Sequence, residues 1–202
     1  VDHYHSVNPL RLGIPREELR SRLILKRMPQ ARGSVSSDLN SRLFTCALRD
    51  LIAQGILHEA GAIVQRKGYV IRFTPAQQLL VDKLMKRFAS SPYAPPSIKE
   101  SQSEVGEEIL TALLELGALI SMRTGAANPE IVFRKEDYEH ILTEIYTLFR
   151  KQGALTAAQV RDHFQTSRRY ALAILEHLDL SGVTIREGDY RRLRTPPAEY
   201  NR

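Results

Sequence analysis

The sequence predicts a mainly α-helical chain with small β-hairpins, organised as three similar units in tandem. Three segments share one pattern, in which an amphipathic helix ends at a glycine and an apolar strand follows; the glycines are Gly55, Gly117 and Gly182. A glycine after the last apolar turn adopts the left-handed capping conformation at low steric cost. Their spacing of 62 and 65 residues suits small domains in series better than a solenoid of short repeats.

The last unit shows this organisation most completely. Gly153 is placed to end a first helix, and Thr156 with Gln159 has the spacing of a capping box that begins a second. Thr166 or Ser167 is placed to cap a third helix. The predicted elements are helices over 138–149, 157–164 and 168–181, then strands over 183–186 and 190–194. This order predicts a winged helix, which is a helix-turn-helix motif followed by a β-hairpin wing.

The middle unit repeats the order with looser connections. Thr74 and Pro75 are residue types favoured at a helix start, and Ser101 with Glu104 has capping-box spacing for a later helix. A proline-rich loop over 91–97 lies between them. The predicted elements are helices over 75–89 and 106–116 and strands over 118–123 and 131–134, joined by a loose wing over 125–129.

The first unit is predicted to be a winged helix that retains only the end of its first helix, over 1–7. Pro15 begins a second helix, which has acidic residues in its first turn. A basic loop over 26–36, a helix over 38–54 and a wing that contains Arg66, Lys67 and Gly68 follow. The predicted domains are 1–74, 75–135 and 136–202, in an elongated arrangement. Because the chain begins without Met in a helix-like stretch, we expect a piece of a larger protein.

The charge of the chain is unevenly distributed. The net charge is +6, and residues 1–74 hold twelve Lys and Arg against six Asp and Glu, whereas the other two units are balanced. A positive excess favours an anionic partner. The basic residues of the first unit could contact RNA phosphates or simply solvate its helices, and both interpretations stay open. They are Arg11, Arg16, Arg20, Arg22, Lys26, Arg27, Arg32 and Arg42.

Other features of the sequence argue against several protein classes. The single cysteine, Cys46, excludes an intramolecular disulfide, and its apolar neighbours on a predicted helix indicate a buried thiol. The absence of a long apolar run or a leader predicts a soluble, cytoplasmic protein without a membrane partner. The histidines lack metal-ligand spacing, and no glycine-rich phosphate loop is present. We therefore expect neither an enzyme nor a bound metal or cofactor.

A candidate nucleic-acid surface lies at the start of the last predicted helix and on the wing. In helix-turn-helix proteins this end of the helix faces the nucleic acid, and its free N–H groups attract phosphate. Arginines there would add charge, and a tyrosine could stack or hydrogen-bond. The alternative is that these arginines only solubilise the fold and that the tyrosine packs half-buried. The candidates are Arg168, Arg169 and Tyr170, Arg186, Arg191 and Arg192 on the wing, and Arg150 and Lys151 at the end of the first helix.

Two parts of the sequence resemble one known family. The last unit resembles the final winged helix of the bacterial selenocysteine-specific elongation factor SelB, and the first unit resembles an upstream winged helix of the same C-terminal extension. The middle unit matches in element order alone. The residues that carry the resemblance are Ser-Arg-Arg-Tyr-Ala-Leu at 167–172, the segments 175–179, 182–184 and 186–189, and the segment 8–23.

This resemblance implies the tail of a translation factor, from its second to its fourth winged helix. The family's GTPase part, with GTP and Mg²⁺, carries selenocysteyl-tRNA to the ribosome, and its last winged helix binds the selenocysteine insertion (SECIS) hairpin beside a UGA codon. By position, Thr166, Ser167 and Gly188 join the candidate contacts. Arg169 stands where the family more often has lysine. Arginine at this position keeps the positive charge but changes the hydrogen-bonding geometry. The middle unit would be a spacer or a ribosome-facing module, and we expect a monomer.

RNA suits the candidate surface better than DNA does. A helix cannot read the narrow major groove of duplex RNA, so specific recognition favours loops. After Tyr170 the helix continues with apolar residues over 171–175, which offer little to read a DNA groove. Two alternatives stay open: a tandem winged-helix DNA-binding transcription regulator, and a scaffold whose winged helices contact only proteins.

Overall fold

The structure is a computed structural model that describes residues 1–27, 35–122 and 131–194. These residues are mainly helical with small antiparallel sheets, which confirms the predicted fold class. The chain divides into two compact units, 1–74 and 75–202. The centre of the predicted basic loop and the predicted wing over 125–129 lie outside the described residues.

The first unit is a winged helix with a three-stranded sheet in the order β1-β3-β2. Its elements are α1 (Asp2–Val7), β1 (Ile14–Pro15), α2 (Arg16–Arg27), α3 (Val35–Ala53), β2 (Leu57–Ala60) and β3 (Ile63–Arg66). The hairpin turns at Gly61, whose φ of 59° is left-handed. The predicted wing includes Arg66, which lies in β3 and pairs with Leu57 across the hairpin, whereas Lys67 and Gly68 follow the end of the strand.

The core of the first unit fixes which face of α3 is buried. Leu48 is buried, and Phe44 and Ile52, four residues away on either side, pack against the same cluster. Cys46 is exposed, so the prediction of a buried thiol is wrong. The reason is helical periodicity: two residues along a helix turn the side chain by about 200°, away from the buried stripe.

The second unit begins with another winged helix, which has a two-stranded sheet. Its elements are α4 (Pro75–Ser90), α5 (Ile98–Val105), α6 (Glu107–Glu115), β4 (Leu119–Met122) and β5 (Ile131–Arg134). The cap predicted at Ser101 and Glu104 is wrong, because Ser97 and Glu100 form the capping box and Ser101 is buried inside α5. The same Ser-x-x-Glu spacing occurs twice, one turn apart. Pro96 keeps the preceding residue, Pro95, out of the helical conformation, so α5 starts after the two prolines.

The second unit ends with a winged helix whose sheet has the order β6-β8-β7. Its elements are α7 (Lys135–Gln152), β6 (Leu155–Thr156), α8 (Ala157–Phe164), α9 (Arg168–Leu180), β7 (Thr184–Glu187) and β8 (Tyr190–Leu193). The predicted capping box of Thr156 and Gln159 is present, and Gly153 caps α7. Strand β6 was not predicted, since two residues give no alternating pattern.

One hydrophobic core runs through both winged helices of the second unit. Met122, Ile131 and Phe133 from the middle hairpin belong to the same buried cluster as the core residues of α7, α8 and α9. Helix α7 follows β5 without a linker, and Arg134 at their junction forms two hydrogen bonds with Asp137, at 2.7 and 3.0 Å. The middle winged helix is therefore packed directly against the last one.

Candidate nucleic-acid interface

The first turn of α9 presents two arginines to solvent. Its N-cap, Ser167, has an extended backbone, and no side-chain hydrogen bond closes the turn. Arg168 and Arg169 are exposed, and neither forms an ion pair with another described residue. By contrast, capping boxes occupy the first turns of α5 and α8. The start of α9 thus offers backbone donors and two positive charges to an anionic group.

The two hydroxyl-bearing candidates that flank these arginines have partners inside the protein. The Oγ1 of Thr166 donates a hydrogen bond to the carbonyl oxygen of Tyr93, and the hydroxyl of Tyr170 donates to the carbonyl oxygen of Pro95 over 2.8 Å. Both acceptors lie in the loop between α4 and α5. Sequence reasoning placed Thr166 and Tyr170 on the RNA surface, whereas the structure places both hydroxyls in a contact between two winged helices.

The charge of Arg169 acts on Glu100 in the first turn of α5. Hydrogen bonds from the backbone N–H and the hydroxyl of Ser97 are the main reasons that the pKa of Glu100 lies below its usual value, and the charges of Arg87 and Arg169 lower it further. Arg169 also places its guanidinium 5.7 Å from the centre of the Tyr170 ring. Its charge is therefore close to the middle winged helix while its side chain remains exposed.

Arg191 requires a correction. It was predicted to contact nucleic acid from the wing, but it is 2% exposed and pairs with Asp179 of α9. Alternation along β8 explains this position, because residues two apart on a strand share a face and Arg191 lies on the inner face of the sheet. A guanidinium buried in an ion pair is not available to an RNA phosphate in this structure.

The outer face of the wing carries an aromatic side chain that sequence reasoning did not select. Tyr190 is 53% exposed and pairs across the hairpin with Glu187, while Ile185 pairs with Arg192 on the same face. The Nε of Arg192 lies 3.0 Å from the Glu187 carboxylate. Nothing in the sequence singles out Tyr190, the first residue of its strand, and its exposure on the folded sheet identifies it as a candidate for base stacking.

The side chain of Arg186 bonds to the backbone of the turn of the wing. The Nε of Arg186 donates to the carbonyl oxygen of Gly188 over 3.0 Å, and Gly188 has a left-handed φ of 63°. Gly188 therefore serves the turn geometry, which a residue with a Cβ would adopt at a cost. Arg186 remains exposed and can still present donors beside the turn.

Contacts made by neighbouring residues link Arg150 and Lys151 to the sheet that carries the wing. Both are exposed at the end of α7 and have no ion pair among the described residues. Gln152, next in sequence, accepts a hydrogen bond from Gln159 at the start of α8 over 2.7 Å. Thr156, the N-cap of α8, is also the last residue of β6, and it pairs with Tyr190 of β8. The structure thus connects these two cations to the Tyr190 end of the sheet.

Several basic residues of the first unit are neutralised by acidic neighbours. Arg16 lies 2.6 Å from Glu59, and two further pairs within α2 join Arg20 to Glu17 and Arg22 to Glu18. The side chains of Lys26, Arg27 and Arg32 lie outside the part that the structure describes. The paired arginines fit the interpretation that they solvate the helices.

Within the described ranges, no helix combines the length and apolar character needed to cross a membrane. The same ranges contain no group of three His, Cys, Asp or Glu side chains arranged to hold a metal ion.

Two family models and a known relative that match this chain belong to the same kind of elongation factor. A family model for the winged helix of elongation factor SelB matches residues 1–65, and a second model of the same description matches residues 147–193. The chain is 24% identical over 200 residues to a selenocysteine-specific elongation factor of Desulfomicrobium baculatum, which covers 96% of the chain. It spans only 29% of the length of that relative.

Two solved structures are also similar. One is the mRNA-binding domain of elongation factor SelB from E. coli in complex with SECIS RNA, with a TM-score of 0.48 and 24% identity, covering 61% of this chain and all of that one. The other is a bacterial selenocysteine-specific elongation factor, with a TM-score of 0.47 and 18% identity, covering 91% of this chain and 26% of that one.

The assignment of this chain to a protein family rests on the two family models. They match two separate segments and together cover 112 of the 202 residues; residues 66–146 lie between the matches, and residues 194–202 follow the second one. The model over 147–193 is named for a third winged helix, so the predicted place of that unit as the fourth stays a prediction. Two matches to one family in a single chain, on a fold of winged helices, show that this chain belongs to the winged-helix region of the elongation factor SelB family.

Proposed function

We propose that this chain is the mRNA-binding part of a selenocysteine-specific elongation factor and that it binds the SECIS hairpin next to a UGA codon. The observation that carries the proposal is the open first turn of α9, where Arg168 and Arg169 are exposed without ion pairs beside free backbone donors. Membership of the SelB family supports RNA as the anionic partner.

In this proposal the start of α9 holds the apical loop of the hairpin. A guanidinium presents a planar set of donors that matches phosphate oxygens or the edge of guanine, and such charged hydrogen bonds are about twice as strong as neutral ones. Arg168 and Arg169 supply these donors, and Ser167 adds a hydroxyl. On the wing, Tyr190 offers a ring for a splayed base, Arg192 lies on the same face, and Arg186 is exposed beside the turn.

The remaining steps of selenocysteine insertion belong to the longer protein. GTP and Mg²⁺ binding and the transport of selenocysteyl-tRNA would reside in a part outside these 202 residues. Binding of the hairpin would hold that part at the UGA codon on the ribosome, in the cytoplasm. The contribution of this chain is recognition and tethering, which need no covalent chemistry at the site.

Equilibrium binding to a SECIS hairpin tests the proposal. Arg168→Ala and Arg169→Ala should each weaken binding by about 1–3 kcal/mol, because each removes a charged hydrogen-bonding group. Binding should also fall with added salt, with a shallower slope for each variant that loses a phosphate contact. Arg161→Ala is a matched control: this arginine is exposed on the neighbouring helix α8 but already pairs with Asp162 at 2.6 Å. It should bind like the unmodified chain.

The competing functions predict different results in the same assay. A transcription regulator would prefer duplex DNA over the hairpin in direct competition. A protein scaffold would bind neither nucleic acid specifically. If both arginine variants bind the hairpin as tightly as the unmodified chain, α9 is not the binding element.

A further inference from the structure

The exposed arginines of α9 lie between two hydrogen bonds that reach another winged helix. Thr166 precedes them and Tyr170 follows them, and their hydroxyls donate to the carbonyl oxygens of Tyr93 and Pro95. The donor and acceptor residues of these two hydrogen bonds are 73 and 75 positions apart in sequence. The segment that presents the arginines is thus attached at both ends to the loop over residues 91–97, here called the α4–α5 loop.

The α4–α5 loop has little conformational freedom of its own. Three of its seven residues are proline, and two of these, Pro95 and Pro96, are buried. At its start, the N–H of Ala94 donates to the carbonyl oxygen of Ser91 over 3.2 Å. At its end, Ser97 is fixed by the capping box of α5. Proline restricts φ, so the two acceptor carbonyls are held before α9 meets them.

Aromatic contacts reinforce both hydrogen bonds. The ring of Tyr93 lies 5.0 Å from the ring of Phe164 at the end of α8, at an angle of 49°. The ring of Tyr170 meets Phe133 of β5 edge-on, with 6.3 Å between the centres. The α4–α5 loop therefore contacts the last residue of α8 as well as the first turn of α9, on either side of the turn that joins them.

That turn needs support from outside. Its central residue, Gln165, has φ of 48° and ψ of 43°, and it is the only described residue other than glycine with a positive φ. This left-handed conformation costs free energy for a residue with a Cβ and persists when its surroundings determine it. The bond from Thr166 to Tyr93 lies one residue after this position and restrains it.

We infer that the α4–α5 loop positions the first turn of α9 for RNA binding, and that Thr166 and Tyr170 act as positioning residues instead of RNA contacts. The inference rests on the proposed function. It gives the middle winged helix, expected from the sequence to be a spacer or a ribosome-facing module, the role of supporting the turn that binds RNA. Arginine pairs with phosphate or a base edge only in a narrow geometry, so a first turn that moves against the core loses affinity even with both arginines present.

Two variants remove the hydroxyls without changing the shape of the site. Tyr170→Phe keeps the ring against Phe133, and Thr166→Val keeps the volume of the side chain. Each should weaken SECIS hairpin binding roughly three- to tenfold, the effect of one neutral hydrogen bond. In the free protein, each should also speed hydrogen exchange at the amide of Ala171, whose bond to Ser167 is the first of the helix. Thr143→Val is the matched control, because it removes a hydroxyl whose hydrogen bond, to the carbonyl oxygen of Glu139 over 2.9 Å, lies within α7, and it should change neither measurement.

The two measurements together separate the possible outcomes. Weaker binding with unchanged amide exchange would mean that the hydroxyls contact RNA directly, which overturns the inference. Faster exchange with unchanged affinity would show a contact that serves stability alone, which overturns it as well. If the unmodified chain does not bind the hairpin, the proposed function fails and the inference fails with it, whereas binding by the unmodified chain with unaffected variants overturns the inference alone.

Discussion

Arg191, buried in the central strand of the last sheet, donates through Nε to the carboxylate of Asp179 in α9 over 3.3 Å. The hydroxyl of Thr184 in β7 donates to the other carboxylate oxygen over 2.5 Å. One carboxylate thus joins both strands of the wing to the last turn of the helix that carries the candidate RNA contacts.

Replacing Arg191 by methionine should destabilise the second unit by about 1–3 kcal/mol. Among the described residues, the change leaves the partly buried carboxylate of Asp179 with Thr184 as its remaining partner, and an uncompensated charge in such a site is costly. Arg192→Met is the control, since Arg192 forms an exposed pair with Glu187 that contributes about 0–1 kcal/mol. Urea unfolding followed by circular dichroism measures both. Equal losses in the two variants would contradict the role given to the buried pair.

Tyr190 should contribute to hairpin binding through its ring. Stacking of one base on an aromatic side chain is worth about 1–3 kcal/mol, so Tyr190→Ala should weaken binding by that amount. Tyr190→Phe should retain most of the affinity. Because Tyr190 is exposed, neither change should lower the melting temperature appreciably. A phenylalanine variant as weak as the alanine variant would show that the hydroxyl, and not the ring, makes the contact.

The stability of the second unit should fall as the pH drops below 6.5. Burial lowers the pKa of His177 from its usual 6.5. Its Nε2 lies 3.1 Å from the Tyr138 hydroxyl, and its Nδ1 is buried with no partner among the described residues. The unfolded chain therefore binds a proton at a higher pH than the folded chain does, and this contribution to stability, complete above pH 6.5, is lost as the pH falls from there towards the folded-state pKa.

Unfolding of His177→Gln between pH 7 and 5.5 measures this contribution. The variant should lose stability less steeply with falling pH than the unmodified chain does. Burial also lowers the pKa of His5 in the first unit, so His5→Gln serves as the comparison for the other unit. Glu100 does not contribute to the pH dependence in this range, because its pKa lies below its usual value of 4.5. An unchanged slope in His177→Gln would contradict the assignment.

Gly13→Ala should destabilise the first unit by about 1–3 kcal/mol, the usual cost of overpacking. A Cβ at this position would stand 2.4 Å from the carbonyl oxygen of Val64, and backbone atoms cannot move aside as a flexible side chain can. Gly61→Asn is the contrasting variant, because open space surrounds Gly61 and asparagine tolerates its left-handed backbone. Thermal unfolding should show the larger loss for Gly13→Ala, and the reverse order would contradict this account.

Predictions from the sequence succeeded where neighbouring residues decide the structure. The Thr156–Gln159 capping box and the end of α7 at Gly153 depend on contacts within one helical turn. Ser97 and Ser101 show the limit, since each is followed by a glutamate three residues later, and only the folded structure shows that Ser97 forms the cap while Ser101 is buried. Cys46 shows a second limit of prediction from sequence, because apolar neighbours in sequence do not reveal which face of a helix packs against the core.

Periodicity, caps and short motifs are local properties of the chain, and they were enough to predict the three winged-helix patterns, the family and the two arginines at the start of α9. Which candidate residues remain available for RNA depends on the packing of the folded chain. That packing buried Arg191 against Asp179, exposed Tyr190 on the outer face of the wing, and brought the hydroxyls of Thr166 and Tyr170 to carbonyls more than seventy residues away. Those outcomes depend on how separate elements pack around a common core, and no spacing within a single element records that packing.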